Sequence, residues 1–143
     1  MHEFRGVVVA PATEAEFRVR FVELEADGVW VHFTVEGEAS ARVGETNPAR
    51  ASLEAFRGLG MTDDRATEYS LANDLLDAVQ ISDGRETTYE YRKGGGSGSP
   101  GLEYFRGEVF FVPGVPAEAQ KLIVTTPDGE TALDLQAAIG PAR

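Results

Sequence analysis

Apolar and polar residues alternate with period two along most of this 143-residue chain. That spacing is the mark of strands with one buried face. Val29, Val31, Phe33 and Val35 give the cleanest run, forming one face of a strand over 29–36 and leaving Trp30, His32 and Thr34 on the other. A first strand is expected over Phe4–Ala10, ended by Pro11, and a second over Glu16–Glu25. Asp27-Gly28 between the second and third runs is a strong signal for a two-residue hairpin turn. With that turn, Leu24 faces Val31, Val22 faces Phe33, Glu25 faces Trp30 and Glu23 faces His32. The second run also changes parity: Phe17, Val19 and Phe21 are odd, Val22 and Leu24 even. A parity change inside a strand requires an extra residue or burial on both faces, so a bulge is expected near Phe21–Val22.

Beyond residue 37 the pattern is more mixed. Residues 38–46 are small and polar and read as loop. Asn47-Pro48 has the order of an N-cap followed by proline at the first helical position, which predicts one short helix over 48–57 ended by Gly58 and Gly60. Leu71–Ser82 carries a helical stripe (Leu75, Leu76, Val79) and a strand-like end, and we read it as strand. Asp83-Gly84 is then the turn, and Thr87, Tyr89 and Tyr91 the returning strand. Gly94–Gly101 reads as a flexible Gly/Ser loop. Glu103–Val112 is a long strand with aromatics on both parities. Lys121–Thr126 and Glu130–Leu135 form a last hairpin across Pro127-Asp128-Gly129. About eight short strands separated by turn signals predict one domain over 1–143, an all-β antiparallel sandwich.

Three segments carry a family resemblance. They are Ile81-Ser82-Asp83-Gly84 leading to Tyr89, Gly107-Glu108-Val109-Phe110-Phe111-Val112-Pro113, and Pro116-Ala117-Glu118-Ala119 leading into Leu122-Ile123-Val124. Together they span roughly residues 75–126, and this region resembles small bacterial immunoglobulin-like β-sandwich domains of unknown function. The resemblance implies an immunoglobulin-like sandwich, Phe110 and Val112 facing the core, and binding roles outside the cell or at its envelope. It implies no catalytic residues.

Charge and composition narrow the functional classes. Asp and Glu outnumber Lys and Arg 24 to 13, for a net charge of −11. The basic residues are scattered, so the clustered cations needed to neutralise nucleic-acid phosphates are missing. The acidic excess is spread evenly over both halves and reads as a solubility feature. With no cysteine there are no disulfides, thiolate nucleophiles or thiolate metal sites. No apolar run reaches the length of a membrane-spanning helix, and no membrane insertion is expected. Met1–Gly6 lacks the apolar stretch of a signal peptide. The expected location is therefore cytoplasmic, or secreted or envelope-associated if an export signal has been removed.

Candidate chemistry is sparse. No Gly-x-Ser-x-Gly, paired-histidine or phosphate-loop motif occurs. His2 is terminal, and His32 lies beside Trp30. Asp63-Asp64 and Asp74/Asp77 are the only carboxylate pairs worth weighing for calcium, and none has the spacing of an EF-hand loop. Asp27, Asp83 and Asp128 read as turn residues. Neither a metal nor a cofactor is expected. Two surfaces remain as binding candidates. If Phe110 and Val112 face inward, then Phe105, Val109 and Phe111 form an outer apolar stripe, and Tyr104 at the end of the Gly-rich loop joins the same contact. Either the 48–57 helix covers that stripe, or a partner protein or a second copy does, the chain then being a non-enzymatic interaction module or a structural subunit of a homo-oligomer. Trp30, His32, Glu23 and Glu25 form the alternative, an aromatic beside acids suited to binding or acting on a glycan.

Overall fold

The structure is a computed structural model, and it describes residues 4–39, 58–62, 71–99 and 103–137, with the side chains of residues 4, 5 and 137 excepted. The helix expected over 48–57 lies outside the described residues. Among the described residues eight strands form in order: β1 (Phe4–Val9), β2 (Phe17–Glu25), β3 (Val29–Glu36), β4 (Gln80–Ser82), β5 (Glu90–Gly98), β6 (Tyr104–Val112), β7 (Lys121–Thr126) and β8 (Gly129–Asp134). All pairs are antiparallel. They make a five-stranded sheet, β1-β2-β3-β6-β5, and a three-stranded sheet, β4-β7-β8. The architecture is an all-β sandwich. No described helix is long and apolar enough to cross a membrane.

Between β2 and β3 the strands alternate as expected, but the turn sits one residue earlier. Glu25 N–H donates to the Gly28 carbonyl at 2.9 Å, so Ala26-Asp27, not Asp27-Gly28, occupies the corner. The pairing moves by two residues: Leu24 lies opposite Val29, Val22 opposite Val31 and Glu23 opposite Trp30. A shift of two preserves the faces. The reason lies at Gly28, where any Cβ would overlap the Phe110 ring and crowd the Phe111 carbonyl. That position is needed for close packing, which keeps it out of the corner. The bulge falls at Arg20, between Val19 and Phe21, next to the expected site. Phe17 and Val19 thereby join Val22 and Leu24 on the buried face, and Phe21 turns outward.

Residues 71–77 are helical (α1) rather than extended. Leu75, Leu76 and Val79 enter the core, with Leu71, Ala72 and Ala78 packed against it. The apolar spacing of 3–4 wins over the strand-like end, which survives only as β4. The expected hairpin across Asp83-Gly84 does not form. β4 pairs with β7 and β5 with β6, so the two arms belong to different sheets.

Residues 94–98, expected as flexible loop, are the second half of β5. Glycine is usually weak in a strand because it has nothing to pack. Here the missing side chains are the fit. A Cβ on Gly96 would stand 2.6 Å from the Phe105 ring, and one on Gly107 would stand 2.5 Å from Phe33 and 2.8 Å from Phe105. Rings from neighbouring strands fill the space over the glycines, continuing a row in which Phe17 stacks on Phe33 at 5.2 Å and Phe33 meets Phe105 at 6.1 Å.

The orientation of β6 is the reverse of the expected one. Phe105, Val109 and Phe111 are core residues, 5% exposed or less. β6 pairs with β3 so that Phe105 opposes Val35, Val109 opposes Val31 and Phe111 opposes Val29. Paired residues share a face, so the odd positions of β6 follow the valines inward, and Phe110 and Val112 take the outward parity. Phe110 is buried as well, on the far side of the sheet. The outer stripe of Phe105, Val109 and Phe111 therefore does not exist, and of that set only Tyr104 is exposed.

The two sheets are tied by a polar clasp at the β7–β8 turn. Phe17 N–H donates to Asp128 Oδ2 at 2.9 Å, Thr126 Oγ1 donates to the Phe17 carbonyl at 3.5 Å, and Asp128 N–H donates to Thr126 Oγ1 at 3.2 Å.

Two outcomes follow for stability. Phe105→Asp and Phe111→Asp each place a carboxylate in the core and abolish the cooperative urea transition; a folded, merely less associated variant would return these residues to the surface. Gly107→Ala costs about 1–3 kcal/mol by overpacking. Gly95→Ala, which meets nothing within 4 Å, stays within about 0.5 kcal/mol of the parent. The same urea titration measures both.

Candidate functional site

The outer face of the five-stranded sheet is organised in rows by the register. One row runs Glu23–Trp30–Phe110–Lys93 across β2, β3, β6 and β5; the next runs Phe21–His32–Glu108–Gly95. A third places Thr34 between Arg18 and Arg106.

In the first row, the Trp30 and Phe110 rings lie 4.9 Å apart and tilted by 41°. The Lys93 ammonium stands 5.4 Å from the indole centroid and 5.5 Å from the Phe110 centroid. Both distances are within cation–π range. Phe110 is thus buried by Trp30, Gly28 and Lys93 rather than by the opposite sheet.

In the second row, His32 is held from three sides. Its Nε2 lies 2.6 Å from Glu23 Oε1, its Nδ1 lies 3.5 Å from Glu108 Oε2, and its ring stacks on Phe21 at 4.2 Å. A carboxylate thus faces each ring nitrogen.

Of the glycan-face residues expected from sequence, the structure brings together Trp30, His32 and Glu23. Glu25 lies at the turn beside Gly28 and not opposite Trp30, because of the two-residue shift. Sequence reasoning missed Phe110, Lys93, Glu108 and Phe21 as members of this face. A correct β3–β6 register would have found Phe110 and Glu108; Lys93 needed the β5–β6 pairing as well, and Phe21 needed the bulge placed at Arg20. Among the described residues, no group of three or more His, Asp or Glu side chains is placed to hold a metal ion.

A cleft of about 260 Å³ opens elsewhere, lined by Asp77, Val79, Gln80, Ile81, Tyr89, Tyr91 and Phe111. Tyr91 and Phe111 meet edge to face, 6.3 Å apart at 82°. Burial pushes the Asp77 carboxyl up, and burial with the nearby Asp77 charge does the same to Asp74. Burial and the Asp77 charge also raise the Tyr91 hydroxyl. Behind the cleft, Tyr89 donates its hydroxyl to Asp83 Oδ2 at 2.8 Å, and Arg85 N–H donates to Asp83 Oδ1 at 2.8 Å. Burial raises the Asp83 carboxyl, but hydrogen bonds involving Thr87, Tyr89 and Arg85 outweigh it and hold the group below its ordinary value. Tyr89 is raised in turn, by burial first and then by its bond to Asp83. Asp83 is therefore more than a turn residue: it fixes the Tyr89 ring.

A carboxyl depressed in the folded state contributes stability that is present above its unfolded value of 3.8 and is lost as pH falls through the folded value. Tyr89→Phe removes a donor from this buried carboxylate and lowers stability by about 1–3 kcal/mol at neutral pH. The difference from the parent shrinks once acid protonates Asp83. Urea titrations of both proteins at neutral pH and near pH 3 check this, and a pH-independent difference would mean the hydroxyl acts through packing alone.

Comparison with protein-family models, curated proteins and solved structures finds no match to this chain in any of the three.

Proposed function

We propose that this protein is a non-enzymatic binding module that meets a protein partner, foreign or a second copy of itself, through the outer face of its five-stranded sheet. The observation that carries this reading is the Glu23–Trp30–Phe110–Lys93 row. It puts the half-buried Trp30 at the middle of a sheet face, backed by the buried Phe110, with charged side chains around it. A central aromatic anchor with a polar surround is the anatomy of an interface hot spot. The binding roles implied by the immunoglobulin-like resemblance point the same way.

The glycan reading keeps one supporting observation, Trp30 beside Glu23. It meets one obstacle: a sugar platform needs an open ring face, and Lys93 stands over the indole.

The test is the mass in solution, by light scattering after size exclusion at two concentrations, for the parent, Trp30→Ala and Lys93→Glu. The expected outcome is a concentration-dependent rise above the one-chain mass. If the chain stays monomeric, capture of a foreign partner takes its place as the readout. Loss of the Trp30 anchor weakens either association by about 2 kcal/mol or more, roughly 30-fold. Association unaffected by both substitutions would overturn the reading. Saturable quenching of the emission of Trp30, the sole tryptophan, by an oligosaccharide would give the face to glycans instead.

A further inference from the structure

We infer that the cleft lined by α1, β4, Tyr89, Tyr91 and Phe111 is a binding site for a small organic cation of the methylated or quaternary ammonium class. This inference does not rest on the outer-face reading. Phe111 and Phe110 point to opposite sides of the sheet, so the two surfaces are separate.

Shape comes first. A cleft of about 260 Å³ is below the range of drug-sized pockets, which begin near ~300 Å³, and fits a compact headgroup. Its walls are aromatic on one side. Tyr91 and Phe111 stand almost perpendicular, at 82° and 6.3 Å, and Tyr89 adds a third ring. The Tyr89 hydroxyl is already given to Asp83, so Tyr89 presents a fixed ring rather than a donor. Perpendicular rings around a space of this size are how proteins hold a quaternary nitrogen, through the negative faces of the rings.

Charge comes second. Among the described residues that line the cleft, Asp77 is the carboxylate and none is basic. Its field reaches the Tyr91 hydroxyl. An anion is therefore disfavoured. A hard divalent cation is disfavoured too, because it requires six or more oxygen ligands, and this wall is mostly aromatic and aliphatic. A primary ammonium asks for three acceptors spread around its nitrogen, and beyond the Asp77 and Gln80 oxygens the described walls are aromatic and aliphatic. A methylated ammonium asks for few or none, and so suits one carboxylate and three rings.

The experiment is a titration of the ¹⁵N-labelled full chain with tetramethylammonium chloride, followed by amide chemical shifts. Sodium chloride serves as the ionic-strength control and 3,3-dimethylbutan-1-ol as the uncharged probe of similar shape. The expected result is saturable shifts clustered at residues 77–81, 89–91 and 111. The neutral probe binds about 5–10-fold more weakly. Asp77→Asn and Tyr91→Leu each weaken tetramethylammonium binding by about 5-fold or more. Asp77 and Tyr91 are both exposed, so the fold survives these changes. Should Tyr91→Leu nonetheless lose its dispersed spectrum, Asp77→Asn decides alone. Shifts that do not saturate, equal binding of the uncharged probe, or binding indifferent to the substitutions would overturn the inference.

Discussion

The antiparallel pairing of β3 with β6 sets Val29 against Phe111, Val31 against Val109, Phe33 against Gly107 and Val35 against Phe105. It is the central seam of the larger sheet, and both faces are fixed by it. On the inner side it assembles the valine and phenylalanine core. On the outer side it sets Trp30 against Phe110 and His32 against Glu108. A slip of one residue would reverse every side chain of β6, burying Arg106 and Glu108 and exposing three core residues. The cost of burying those two charges is several kcal/mol each, so this seam has one register. The rows on the outer face and the aromatic wall of the cleft inherit their geometry from it.

Packing around the seam uses two complementary devices. Where β6 meets β5, volume is supplied by rings reaching sideways: Phe105 covers Gly96, and Phe33 and Phe105 cover Gly107. Where the sheets meet at the β7–β8 turn, hydrogen bonds from Phe17 and Thr126 hold the layers in place. The first device is apolar and demands bare backbone. The second is directional and satisfies backbone groups at the start of β2 that would otherwise be orphaned. A carboxylate plays a like part at Asp83, where hydrogen-bond donors hold the group below its ordinary value.

Much of the larger sheet was legible from residue order alone. β3 was fixed to the residue because its four inward positions are all apolar and β-branched or aromatic. The parity change in β2 announced its bulge within a residue or two. The last hairpin was plain from Pro127-Asp128-Gly129. What was not legible was long-range: which strand β6 joins, and therefore which way Phe105, Val109 and Phe111 point. With aromatics on both parities, β6 carries no internal mark of its own inside. The glycines of β5 misled for a related reason, since their role depends on rings distant in sequence. At the outer face, Trp30, His32 and Glu23 were found because they are neighbours across one hairpin, whereas Phe110, Lys93 and Glu108 come from strands more than fifty residues away.

The order in which the strands are shared between the sheets bears on how the chain is made. β3 is followed by β4 in the other sheet, β5 returns to the first, and β7 leaves it again. During synthesis, β1 to β3 emerge as a meander whose valine face has no cover. The seam is closed only when residue 112 has left the ribosome, and the second layer only when β8 follows. For more than seventy residues of translation β3 keeps an open edge, a feature on which chaperones act. The pairing of β3 is therefore completed late in translation, because its partner β6 lies almost seventy residues further along the chain.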